Sequence, residues 1–271
     1  MMKTRVISAV ILLPILLAVL LAAPKLLAAV LFGVMGAIGA YELLYGTGLV
    51  KHVRLVAYSA VMAFLVAIWS FQGMPQNLAV LGLLVFFIAL FAEMMASHVK
   101  IQFEHLALCF AAGVIIPFML NSLVRIHGMN NGRHMILVPF IIAMLSDTGA
   151  YFAGRALGRH KLAPVISPNK TIEGVAGGVL AAVVGMLIYS LVLDLAFDFN
   201  VSYGYAVIYA VLGSAVGVFG DLCFSVIKRQ TGIKDYGNLI PGHGGILDRF
   251  DSMMLVGPLT EALLLMIPLA V

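Results

Sequence analysis

Nine stretches of unbroken apolar sequence, near residues 6–23, 26–45, 53–71, 78–96, 105–124, 135–154, 174–193, 203–227 and 250–270, decide what this chain can fold into. A helix needs about 17–25 apolar residues to cross roughly 30 Å of hydrocarbon. The stretches are continuously apolar and do not alternate, which argues against barrel strands and for helices, whose backbone groups are satisfied within the segment. The predicted fold is all-α: a polytopic membrane bundle of about nine transmembrane helices. A composition of 63% hydrophobic and 10% charged residues agrees, since soluble domains run near about 45–50% and 25%. The first stretch follows Lys3 and Arg5 but is long and lacks a convincing cleavage site, so it reads as a retained helix.

Orientation follows from the bias of Lys and Arg toward cytoplasmic loops. With the N-terminus inside, Lys3, Arg5, Lys51, Arg54, Lys100, Arg155, Arg159, Lys161, Lys170, Lys228, Arg229, Lys234 and Arg249 are cytoplasmic. Only Lys25, Arg125 and Arg133 remain outside, and an odd number of spans leaves the C-terminus outside as well. The net charge of +4 is dispersed among loops that would lie beside anionic lipid, so lipid and nucleotide phosphates are the expected partners and nucleic acid is not. Cys109 and Cys223 fall inside predicted helices with no CxxC spacing and read as packed thiols.

The two halves of the sequence differ in chemistry. Residues 1–134 read as scaffold helices, and residues 135–271 as catalytic helices with cytoplasmic loops 155–173 and 228–249, all within one integrated membrane domain. Asp147 and Asp221 lie inside apolar runs, while Asp248 and Asp251 open the last one. Acids at such positions are costly and functional by default; an interhelical hydrogen bond or a proton relay is the competing role. A hard divalent cation is an effective partner because Mg²⁺ prefers oxygen ligands and tolerates retained waters and substrate phosphates. Asp221 and Asp248 are the expected metal ligands.

Pro241-Gly-His-Gly-Gly245 reads as a turn whose glycines permit positive φ and let successive amides face an anion, with His243 donating to a phosphate oxygen; alternatively the glycines only make the bend. Ser167-Pro-Asn-Lys-Thr171, followed by Glu173, reads as a loop entering a helix, whose first amides favour phosphate or are simply capped by Thr171. The basic loops contain no P-loop and no dinucleotide fingerprint. Glu42, Glu93 and Glu261 are expected at helix ends or in interhelical bonds, without an assigned role.

The run from Ser225 through Lys228-Arg229, Lys234-Asp235, Pro241-Gly-His-Gly-Gly245 and Asp248-Arg-Phe-Asp251 resembles the signature of the phosphatidate cytidylyltransferases, the CDP-diacylglycerol synthases. The segment from Ser146-Asp-Thr-Gly149 to Ser167-Pro-Asn-Lys-Thr-Ile-Glu-Gly174 resembles the same family, so the likeness covers most of residues 146–251. It implies transfer of the cytidylyl group of CTP to phosphatidic acid, giving CDP-diacylglycerol and pyrophosphate, in a bacterial cytoplasmic (inner) membrane. It points to Asp221 and Asp248 as ligands of Mg²⁺, as one or two ions, with a monovalent cation also compatible, and to a homodimer. Asp221, Asp248, Lys228, Arg229, Lys234 and Arg249 are then catalytic. Asp147, Ser167, Asn169, Lys170, Thr171, His243, Gly244 and Gly245 are expected to bind substrate. The cations have a blander alternative, anchoring headgroups under the positive-inside rule. A polyprenol kinase or a CDP-archaeol synthase would use similar phosphate-handling loops. A cation-coupled transporter would also bury acids, but would more naturally show interrupted spans in matching halves.

Overall fold

The computed structural model describes residues 14–71 and 75–270. Residues 14–21 form helix α1, within the expected first span, 6–23, whose residues 6–13 lie outside the described residues. Among the described residues seven helices are long and apolar enough to cross a membrane: Lys25–Gly46, Val53–Ser70, Gln76–Ala96, Phe103–Gly128, Gly132–Leu157, Ile172–Phe197 and Tyr203–Gln230. The chain is therefore an all-α polytopic membrane protein. Its described residues divide into two compact units, one within residues 14–133 and 228–250, the other within 134–227 and 251–270.

In the first unit, α2 (Lys25–Tyr41) continues through a π-helical turn, Glu42–Gly46, and packs along α3 (Val53–Ser70). Gly33 lets the two helices close, since a Cβ there would sit 2.8 Å from the Phe64 ring and 3.2 Å from Ala67 Cβ. Helix α4 (Gln76–Ala96) follows, with only Phe86 and Leu90 buried in this unit. The next span is segmented into α5 (Phe103–Phe110), a π turn at Ala111–Ile115, α6 (Ile116–Leu120) and α7 (Ser122–Gly128). Pro117 accounts for the π turn: its ring would clash with the carbonyl four residues back, at Gly113, and it brings no N–H to that turn. Phe32, Leu55, Met62, Leu106, Leu120 and Ile126 form the fully buried core. Helix ends that alternating spans assign to one side do meet. At one end His52 Nε2 lies 3.2 Å from the Lys100 carbonyl, and at the other Arg125 Nη1 donates to Ser70 Oγ at 3.1 Å.

After the short α8 (Gly132–Met135), the second unit contains α9 (Leu137–Leu157) and α10 (Ile172–Phe197), which pack on each other through small residues. A Cβ at Gly178 would stand 2.6 Å from the Ser146 carbonyl oxygen, so only glycine allows this approach. Between them the expected loop 155–173 contains an antiparallel hairpin, β1 (Lys161–Ala163) and β2 (Ser167–Thr171), with Lys161 opposite Thr171 and Ala163 opposite Ser167. Helix α11 (Tyr203–Gln230) completes the long helices. The expected ninth span, 250–270, is instead the four-residue α12 (Leu247–Phe250), a turn, and the 14-residue α13 (Met253–Met266). At about 1.5 Å per residue α13 is about 21 Å long, short of the hydrocarbon thickness. The break falls where Asp251 Oδ1 takes the Ser252 N–H at 2.8 Å, a local bond that competes with helix continuation.

Candidate active site

The loop 228–250 folds around two carboxylates of its own unit. Asp248 is almost enclosed, its side chain 2% exposed, and both oxygens are engaged. Lys228 Nζ donates to Oδ1 at 2.9 Å, and the backbone N–H groups of Tyr236 and Gly245 donate to Oδ2 at 2.7 and 3.0 Å. The Lys228 ammonium also lies 5.5 Å from the centre of the Tyr236 ring, a cation–π distance. A buried carboxylate is stable only when paired and hydrogen-bonded in this way.

Glu42, which carries no motif, is the second carboxylate. It is 4% exposed, and its two oxygens accept the backbone N–H groups of Ile246 and Leu247, each at 3.0 Å. Its partners lie 204 and 205 residues away in sequence, which is why no role for this acid is legible from the sequence around it. The one sequence signal was an acid closing an apolar run just before Gly46-Thr-Gly48.

Lys234, His243, Gly244 and Arg249 line a cavity of about 1090 Å³ together with Asp235 and Asn238. Lys234 and Arg249 are exposed, as is Arg229 near the end of α11. The glycine turn takes the expected backbone, with φ of 78° at Gly242 and 90° at Gly244. Its amides, however, do not line up toward an anion. His243 N donates to the Ile240 carbonyl at 2.9 Å and Gly244 N to the same oxygen at 3.2 Å, while Gly245 N serves Asp248. The turn closes on itself because one carbonyl collects two successive donors, and His243 is part of the cavity wall.

In the second unit Lys170 Nζ lies 2.5 Å from Asp221 Oδ2, and Ser225 Oγ donates to Oδ1 at 3.1 Å. This pair is more open than the first, with side chains 23% and 27% exposed. Thr171 caps α10 by accepting from Gly174 N at 3.1 Å. Glu173 accepts from the Arg159 and His160 backbones and from His160 Nδ1, so it ties the hairpin to the helix. Ser167 and Asn169 are on β2, half-buried and exposed respectively, and Asp147 is exposed on α9, ten residues before that helix ends.

Asp221 and Asp248 offer only hard oxygen donors. Among the described residues no group of three His, Cys, Asp or Glu side chains forms a metal cluster. That donor chemistry suits Mg²⁺, which is held by one or two carboxylates and completes its octahedron with water and substrate phosphates.

Long apolar helices, a lysine-paired acid in each unit, and a basic cavity with a glycine turn in the first unit define a polytopic membrane enzyme that handles anionic substrates. The chain belongs to the cytidylyltransferase family, whose sequence model matches residues 3–267. It is similar to the phosphatidate cytidylyltransferase of Staphylococcus haemolyticus, 36% identical over 97% of this chain and 99% of that protein. The phosphatidate cytidylyltransferase of Staphylococcus saprophyticus is 37% identical over 98% of this chain and 100% of its own length. That of Staphylococcus aureus is 35% identical over 97% of this chain.

Proposed function

We propose that this protein is a CTP:phosphatidate cytidylyltransferase working at the cytoplasmic face of a bacterial inner membrane. A phosphate oxygen of phosphatidate attacks the α-phosphorus of CTP. The bond from that phosphorus to the oxygen bridging the β-phosphate breaks, and its electron pair leaves with pyrophosphate. The products are CDP-diacylglycerol and pyrophosphate. A phosphate monoester already ionised near neutral pH can attack without a general base.

Two anions must meet, so catalysis is mainly positioning and charge stabilisation. The observation that carries the proposal is that the two aspartates expected to hold the metal are each bonded to a motif lysine, Asp221 to Lys170 and Asp248 to Lys228. Mg²⁺ held by Asp221 and Asp248 would supply positive charge against the leaving pyrophosphate. Arg229 and Arg249 suit two-pronged phosphate contacts, Lys234 adds a point charge, and His243 donates to a phosphate oxygen from the cavity wall. Asp147, Ser167, Asn169 and Lys170 are assigned to substrate contact, and Thr171 to setting the start of α10. The cytoplasmic orientation is supported by the bias of Lys and Arg toward the loops that carry these residues. A homodimer, implied by resemblance, belongs to the same proposal and is checked by light scattering of the purified protein.

The decisive assay supplies purified protein in liposomes with labelled CTP, phosphatidate and Mg²⁺. Labelled CDP-lipid with pyrophosphate is expected, lost on adding EDTA and restored by Mg²⁺. Release of CDP with a newly phosphorylated lipid would replace the proposal with a CTP-dependent lipid kinase.

A further inference from the structure

Glu42 sits outside both sequence motifs, yet it is the side chain on which the Asp248 loop is seated. The loop touches it from two directions. Ile246 N and Leu247 N each donate to a different carboxylate oxygen at 3.0 Å, immediately before Asp248. Gly237 and Gly245 lie so close that an added Cβ would stand 2.7 Å from Oε1 and 2.6 Å from Oε2 respectively. Gly245 is itself a backbone donor to Asp248, and Gly237 directly follows the other, Tyr236. Two carboxylates therefore share one loop, and moving either displaces the other's donors.

The mounting of Glu42 is itself fixed. It begins the π turn Glu42–Gly46, and Thr47 closes that turn by donating through Oγ1 to the Leu43 carbonyl at 2.5 Å. A side chain at Gly46 would strike the Tyr236 carbonyl oxygen at 2.9 Å, so the loop also rests on the turn's backbone. π turns are frequent at functional sites because the extra residue re-aims a side chain. Here the side chain at the start of the turn is a buried acid that accepts from two loop amides.

We infer that Glu42 is a positioning residue for the cytidylyl-transfer site, holding the 236–248 loop so that Asp248 and Lys228 keep their geometry; this rests on the proposed reaction. Glutamine at this position places an amide NH₂ where one of the two N–H donors needs an acceptor, and aspartate is one methylene too short to serve both.

The test uses Glu42→Gln and Glu42→Asp in the full purified chain, with Glu93→Gln as a comparator. Glu93 also accepts side-chain bonds, from Arg54 and Tyr58, but those partners lie on α3. Both Glu42 variants are expected to lower kcat by about tenfold or more, with a smaller change in KM for CTP. Hydrogen exchange should quicken in peptides spanning 236–250 and stay unchanged in those spanning 53–70. Glu93→Gln should change neither loop exchange nor kcat. Wild-type kcat, unaltered loop exchange, or exchange that rises uniformly would each overturn the inference, as would failure of both variants to fold. If the wild type itself forms no CDP-lipid, the proposed reaction fails, while the exchange readout still tests the seat.

Discussion

Asp248→Asn keeps the side chain's shape while removing its charge, and the geometry fixes the consequence of either amide orientation. With NH₂ in place of Oδ2, the backbone donors of Tyr236 and Gly245, at 2.7 and 3.0 Å, both face another donor. Each buried donor left unpaired costs about 1–3 kcal/mol. With NH₂ in place of Oδ1, Lys228 at 2.9 Å loses its acceptor and counter-charge while its side chain is only 13% exposed. Breaking a buried pair from one side costs about 3–5 kcal/mol, and the partial exposure of Lys228 places this case near the lower end, about 3 kcal/mol. For a chain of this size that corresponds to a Tm lower by about 6–12 °C.

Thiol-dye labelling of buried Cys109 during heating reads the transition, in a Cys223→Ala background. Lys228→Met strands the carboxylate instead, and the Asp248→Asn/Lys228→Met double variant removes both charges. The double variant should therefore melt well above the sum of the two single effects, a coupling of about 2 kcal/mol, since contacting residues are not additive. Strict additivity, or a wild-type Tm for Asp248→Asn, would refute the buried-pair reasoning. Turnover should stay lost in the double variant even as the Tm recovers. Recovery of both together would confine Asp248 to a stabilising role.

Lys170→Met should depress turnover by at least about tenfold while changing stability by less than about 1 kcal/mol, because its pair with Asp221 is roughly a quarter exposed; steady-state kinetics and melting separate the two. Lys228→Arg should also lose turnover, since a planar fork cannot replace an ammonium packed near Tyr236, and full activity would show that charge alone suffices. Gly178→Ala should cost about 1–3 kcal/mol by pressing a methyl on the Ser146 carbonyl, whereas Gly204→Ala, with open space around it, should melt at or slightly above wild type.

What the sequence disclosed follows from the range over which each feature is determined. Unbroken apolar runs specify helices because the bilayer requires every backbone group to be paired locally, so the seven long spans fall close to their expected positions. Thr171 as a cap and positive φ at Gly242 and Gly244 are equally local, set by a side chain three residues from its donor or by the missing Cβ. The partners of Glu42 could not be read, because nothing in an apolar run says which loop will be packed against its end. The turn at Pro241–Gly245 shows the same limit: the sequence permits its backbone, but only the fold determines that Ile240 takes two of its amides. The split of the last span at Asp251 depends on one side-chain bond, which periodicity does not register.

The division of labour between lysine and arginine has a physical basis. Lys170 and Lys228 partner the acids, whereas Arg229 and Arg249 are exposed. A guanidinium that embraced a carboxylate through its fork would commit its geometry to the protein and have little left for a substrate. An ammonium satisfies a carboxylate oxygen with one of three donors on a flexible stem, as Lys228 does with Asp248 Oδ1, so that in the proposed reaction the other two remain for a phosphate oxygen. Pairing with lysine thus offsets the cost of an acid in an apolar bundle without cancelling the cation's use. The arginines stand exposed to water, which lowers the cost of their charge, and in the proposed reaction a planar fork there can grip an arriving triphosphate or headgroup from two sides. A chain with so few charges can then use the same cations twice, first to hold its carboxylates and then to meet a polyanion.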